Sequence, residues 1–203
     1  MKDKFEEIEE VESLLKDFNS WLYSPTKITD FQWYDDFEEL IEKKNKKYPD
    51  VLPSISQNEV QQLSEFLEED IQASTALEKV LLSIIWKQGD YGKIKSFIET
   101  ICGQEKALKT GIVFRQFARH VNNPLDQPII DQHVLRAYLA LQNIGDIDEL
   151  KNIRKRGVLT YHDEAHIENY LNWYNMKAPP IKFKSDYKLD DYLFVLGKLI
   201  KTK

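Results

Sequence analysis

Apolar residues recur along the chain at three- and four-residue intervals and almost never at every second position. That pattern predicts an all-α protein, a compact bundle of about ten helices with no strand. A first helix over about residues 3–23 puts Phe5, Ile8, Val11, Leu15, Phe18 and Leu22 on one stripe, opposite an acidic face. A second starts near Asp30 and presents Phe31, Tyr34, Phe37 and Ile41. It ends in Lys43, Lys44, Lys46 and Lys47, whose charge suits the negative end of a helix dipole. Ser56-Gln57-Asn58-Glu59 and Thr75-Ala76-Leu77-Glu78 both carry the capping-box order, hydroxyl first and carboxylate three residues later. The first box opens a helix through Leu63, Phe66, Leu67 and Ile71. The second opens one through Val80, Leu81, Leu82, Ile84 and Ile85, apolar nearly all round, which predicts a place at the centre of the fold.

Gln88-Gly89-Asp90-Tyr91-Gly92 then interrupts the periodicity, and helices over about residues 93–102 and 104–121 follow. A loop containing Pro124 and Pro128 leads to Asp131, which opens an apolar helix that Gly145 closes. A short basic helix over 146–156 ends at Gly157. Another over 160–176 is stopped by Pro179-Pro180, and a last one over 186–201 shows Tyr187, Asp190, Asp191 and Phe194. No linker is long enough to demand two independent domains. Residues 1–203 therefore read as one domain, or as two lobes with 74–145 as the core.

Composition narrows the class. Hydrophobic content of 42% and charged content of 31% are those of a soluble globular protein. No run of about 18 apolar residues occurs, so no membrane partner is expected. The first residues lack a basic-then-apolar leader, and the expected location is the cytoplasm. One cysteine, Cys102, excludes an internal disulfide, a four-cysteine zinc site and an iron–sulfur cluster, and its setting predicts a buried, inert thiol. No phosphate-binding glycine loop, dinucleotide fingerprint or EF-hand is present, so no nucleotide or other cofactor is expected. His162 and His166 have metal-ligand spacing, but the zincin order is absent and no third ligand is evident. A capped first turn after Thr160 is the plainer account, and no metal is assigned.

The net charge of −6 is unevenly spread: residues 151–203 hold 11 Lys and Arg against 6 Asp and Glu, a balance of +5, leaving −11 for residues 1–150. A basic C-terminal third is compatible with a phosphate backbone and equally with ordinary solvated helix faces.

Asp131 is the residue on which function turns. An Asp at a helix N-terminus accepts from free backbone N–H groups, and the helix dipole favours its ionised form. A fixed carboxylate of this kind is a catalytic tool; it is also what a plain helix start requires, and both readings stand. His133 and Arg136 follow in the first turns. Arg115 and Arg119, a turn apart, either line a cleft or form a charged face. Trp21, Trp33, Tyr34, Trp173 and Tyr174 fall at helical spacing and are expected in the core.

The run Pro128-Ile129-Ile130-Asp131-Gln132-His133-Val134-Leu135-Arg136-Ala137, preceded by Gly111 and the helix carrying Phe114 and Phe117, resembles the helix-hairpin-helix (HhH-GPD) DNA glycosylase superfamily. In that family a glycine hairpin, a helix and a Gly/Pro-rich loop lead to a catalytic Asp. The resemblance covers about a third of the chain. It implies a monofunctional hydrolase acting on a damaged or modified base in double-stranded DNA, with Asp131 as the catalytic group. Gly111 would then meet the DNA backbone and Gln88, Arg115 and Arg119 the groove; His133 and Arg136 would meet a phosphate or pair with Asp126, although solvation at the surface is the plainer expectation for both. Val80 to Ser83 resemble the family's buried helix before a DNA-inserting loop, which gives Gln88 or Trp86 as the inserting side chain, although core packing is the plainer expectation for Trp86. The hairpin is degenerate: Ala107-Leu108-Lys109-Thr110-Gly111-Ile112 keeps one glycine. The family's Schiff-base lysine position falls near Val113, with Lys109 a turn earlier, which favours water as the nucleophile. A non-catalytic helical module that binds DNA or protein is the alternative.

Overall fold

The computed structural model describes residues 5–23, 31–47, 55–65, 75–89, 91–104, 111–124, 126–177 and 187–202. The protein is all-α. The helices are α1 (Ile8–Tyr23), α2 (Tyr34–Lys47), α3 (Gln57–Glu65), α4 (Ala76–Lys87), α5 (Tyr91–Ile101), α6 (Ile112–Asn122), α7 (Gln132–Gln142), α8 (Ile147–Lys155), α9 (Glu164–Lys177) and α10 (Leu189–Leu199). A 3-10 turn, Tyr161–Asp163, leads into α9. Among the described residues there is no strand, and no helix is long and apolar enough to cross a membrane. The expectations on Asp30, on Phe66, Leu67 and Ile71, on Lys109 with the rest of the hairpin before Gly111, and on Pro179-Pro180 lie outside the described residues.

The chain divides into two compact units, Met1–Val51 with Ile130–Lys203, and Leu52–Ile129. The first is built around α7, in which every residue from Val134 to Leu141 is buried. A helix hidden on all sides needs a partner along its whole length. That partner is α10, which packs on α7 more extensively than any other pair of helices meets. Gly197 explains the close approach: a Cβ at this position would overlap the His133 carbonyl oxygen and lie 2.7 Å from its carbonyl carbon. α1, α8 and α9 also pack on α7, and α2 packs on α10. The stripe read in the first helix is buried as expected, at Phe5, Val11, Leu15, Phe18 and Leu22. Around it lies an aromatic cluster of Phe18, Trp21, Phe31, Phe37 and Tyr192, with Phe18 against Phe31 edge-on at 5.6 Å and Trp21 stacked on Phe31 at 5.3 Å.

Arg154, near the end of α8, is buried and ties two distant segments of backbone to that helix. Its Nε donates to the Ile200 carbonyl (2.9 Å), and Nη2 donates to those of Phe5 (2.8 Å) and Glu6 (3.1 Å). Burial draws the guanidinium below its ordinary pKa.

In the second unit α5 and α6 form the main pair, with α3 and α4 against α5. Phe97 meets Phe117 at 5.8 Å and Phe114 edge-on at 6.4 Å. Cys102 is half-buried rather than fully enclosed; its thiol donates to the Val60 carbonyl at 3.6 Å, and burial pushes its pKa up.

The expected central position of the fourth helix is not found. Leu77, Val80, Leu81 and Ile84 are exposed, and Trp86, expected in the core, is 70% exposed. Only Leu82 and Ile85 are half-covered. A helix apolar on every face carries no phase, so its sequence does not say which face, or how many, will be covered. Its start is as read: Thr75 Oγ1 accepts from the Glu78 N–H (3.2 Å) and the Glu78 carboxylate accepts from the Thr75 N–H (2.8 Å). With so little packing, α4 depends on this cap. Thr75→Ala should speed amide exchange in the first turns of α4 about fivefold, the equivalent of ~1 kcal/mol, and leave the main melting transition in place.

Candidate active site

Of the residues singled out from the sequence, Asp131, His133 and Arg136 belong to the first unit, and Gln88, Gly111, Arg115 and Arg119 to the second.

Asp131 is the N-cap of α7. Its backbone is extended (φ −121°, ψ −178°), and its Oδ1 accepts from the N–H groups of His133 (2.7 Å) and Val134 (2.9 Å). Asp favours this position because a short carboxylate can reach back to two amides that the helix leaves without partners. The side chain is half-buried, and among the described residues no donor engages Oδ2. One oxygen therefore fixes the group while the other keeps its lone pairs.

His133 is half-buried, its ring edge-on to Phe194 at 5.1 Å, and its Nδ1 lies 2.8 Å from Nη1 of Arg136. Burial lowers its pKa most. The Asp131 carboxylate opposes that shift, the Arg136 guanidinium adds to it, and the Gly197 carbonyl again opposes it. The imidazole thus leans toward the neutral form at neutral pH.

Arg136 corrects the expectation of a phosphate contact or a solvated surface side chain. It is 1% exposed, and its guanidinium is committed to main-chain oxygens: Nη1 donates to the Gly197 carbonyl at 2.8 Å and Nη2 to that of Arg156. Burial draws its pKa down, partly countered by Asp131. A charge so enclosed has no face left for a phosphate. It locks the first turns of α7 to α10 and to the loop after α8.

Three further groups of this unit carry no functional expectation from the sequence, although Asp190 is named there as part of the last helix. Tyr170, on α9, meets Tyr138 edge-on at 5.3 Å and Trp173 at 5.9 Å, and its hydroxyl is buried with no hydrogen-bond partner among the described residues. Its pKa stands well above the usual value through burial, then through the nearby carboxylates of Asp190 and Asp131 and the phenol of Tyr174. Asp190, in the first turn of α10, is buried with Oδ1 also lacking a partner. Its neighbour Asp191 pairs with Lys44 and accepts from the Lys188 N–H at 2.9 Å. Gly197 is the third, and it alone had a readable signal, since a glycine inside an apolar helix often marks a close backbone approach.

In the second unit Gly111 is the N-cap of α6 in the left-handed region (φ +76°), where a side chain would be strained. The helix read over 104–121 is observed as Ile112–Asn122. Gln88 is exposed and caps the C-terminus of α4. Arg115 is buried and Arg119 half-buried, so the pair is not an open charged face. Two polar contacts hold the Pro loop against α6: His120 Nδ1 with the Gln127 carbonyl (2.6 Å), and Gln116 Nε2 donating to Gln127 Oε1 (3.3 Å).

His162 lies in the 3-10 turn and His166 in the first turn of α9. Among the described residues no three His, Cys, Asp or Glu side chains gather as a metal site would require.

Comparison with family models, with curated proteins and with solved structures finds no match to this chain.

Proposed function

We propose that this chain is a DNA-glycosylase-like hydrolase that cleaves the N-glycosidic bond of a damaged or modified base without lyase chemistry. The observation that carries the reading is the state of Asp131: one carboxylate oxygen pinned by two backbone amides at the start of a fully packed helix, the other unengaged among the described residues. The motif around it, Pro128 to Ala137, is the part of the sequence that resembles the HhH-GPD superfamily.

The chemistry suits such a group. As the bond between C1′ and the base nitrogen lengthens, positive charge builds on the sugar, and a preorganised carboxylate stabilises it without having to reorganise. Water then adds to C1′. Its hydroxyl stays on the sugar, its proton goes to Asp131 or to solvent, and the base leaves with the electron pair of the broken bond. The target nucleotide has to leave the base stack first.

Cap and catalyst can be separated by substitution. Asn still accepts the two N–H bonds, so Asp131→Asn should melt within about 0.5 kcal/mol of the parent, whereas Asp131→Ala should lose ~1 kcal/mol. Both should lower base release from a panel of lesion-bearing duplexes by about 100-fold or more. Equal release by Asp131→Asn, or none by the parent across the panel, sinks the proposal.

A second reading, a helical binding module without catalysis, is favoured by one observation: Leu77, Val80, Leu81, Ile84 and Trp86 on α4 are all exposed, more apolar surface than a solvated helix normally shows. The same panel tests it, since it requires binding with no base released.

A further inference from the structure

Between α8 and α9 the chain displays what it would ordinarily cover. Val158 is 80% exposed, Tyr161 is 45% exposed, and the Tyr161 ring lies against the exposed imidazole of His162 with centroids 3.8 Å apart. Display of this kind could be mere slack, but here both ends of the loop are fixed. At its start the Arg156 carbonyl is held by Arg136. At its end the buried Asp163 carboxylate pairs with the Arg156 side chain and accepts from the Thr160 N–H (2.7 Å) and hydroxyl (3.3 Å). The apolar and aromatic side chains are therefore presented from a braced platform.

The loop follows a basic stretch of α8 and is itself followed by the buried Asp163 and the exposed Glu164. Residues 151–162 contain Lys151, Arg154, Lys155 and Arg156 and no acidic residue. Arg154 points inward to backbone carbonyls, and Arg156 is paired with Asp163. Lys151 and Lys155, four residues apart on one face of α8, are exposed. Lys151 has only a long contact to the exposed Asp148 (3.4 Å), and Lys155 has no ion pair among the described residues. An exposed aromatic pair beside two exposed lysines, of which Lys155 has no ion pair among the described residues, matches a strand that offers flat bases and a phosphate every nucleotide. The anchoring arginine, Arg136, is on the same helix that Asp131 caps.

We infer that the loop from Gly157 to His162, with Lys151 and Lys155, is a DNA-binding surface on which Tyr161 and His162 stack against a base while the lysines meet the flanking phosphates. The inference rests on the reading of the substrate as DNA, and it adds the surface that holds the strand beside the Asp131 helix.

The test uses the full chain and fluorescein-labelled DNA, as a duplex and as the matching single strand, followed by anisotropy. Tyr161→Ala should weaken binding about 5- to 100-fold, the range for loss of one stacked base. Lys155→Gln should reduce the slope of log affinity against log salt by about one. Val158→Ser changes a side chain that touches almost nothing, and it should weaken binding with no shift in melting, so failure to fold cannot stand in for failure to bind. Unchanged affinity in all three variants, or parent binding that ignores salt, overturns the inference. If those variants bind and excise normally while Asp131→Asn does not excise, the loop assignment falls and the proposed activity survives. If the parent releases no base yet the variants lose DNA, the surface stands and the catalytic reading falls.

Discussion

Gly197→Ala should be the most damaging single-methyl change in the molecule, lowering stability by at least ~3 kcal/mol and melting by roughly 10 °C. The added carbon would overlap the backbone of His133, not a side chain that could turn aside. Relief requires α10 to draw away from α7 along the most extensive helix contact in the fold, and that shift would also lengthen the Arg136 bond to the Gly197 carbonyl. Thermal denaturation checks the magnitude. Base release checks the consequence, because His133 supplies one of the two amides that pin Asp131. A melting temperature within about 2 °C of the parent would show that the helices do not meet at Gly197 as described.

The second large effect belongs to Asp190 and depends on pH. Burial, followed by the Asp191 carboxylate, raises its pKa from the usual 3.8 to about 6, against smaller opposing pulls from Lys44 and Lys188. Between those two values the folded chain holds a proton that the unfolded chain has released, so this group's contribution to stability falls as pH rises from about 4 to 6 and stays low above that. A displacement of about two units corresponds to ~3 kcal/mol. Asp190→Asn removes the ionisation and keeps the shape. It should therefore be more stable than the parent at pH 7 by up to that amount, and the advantage should vanish below about pH 4. Urea unfolding of both proteins at intervals from pH 4 to 8 reads the difference directly; a constant gap across that range would contradict the account.

What could be read in the sequence was what is local. The caps at Thr75 and Asp131 are spelled by residues two or three apart, and the structure forms them where they were expected. The buried stripe of α1 followed equally from spacing. Arg136 could not be read, because its partners are main-chain carbonyls 20 and 61 positions away and a carbonyl has no letter of its own. Burial of Arg115 and exposure of α4 escaped for the same reason: neither is a property of the segment itself. Asp190 looked like an ordinary acidic residue in the first turn of a helix. Only the packing of α10 makes it a buried acid.

The stitching by Arg154 also bears on how the chain is made. It joins the residues before α1 to the end of α10, so the first unit is assembled from two stretches that leave the ribosome far apart in time. Until α7 and α10 have been synthesised, Phe18, Trp21 and Phe37 have little beyond one another and Phe31 for cover, while the unit spanning Leu52–Ile129 already has α5 and α6 to build on. Nascent chains halted before Ile130 should thus carry a sticky amino-terminal quarter that a chaperone would have to guard.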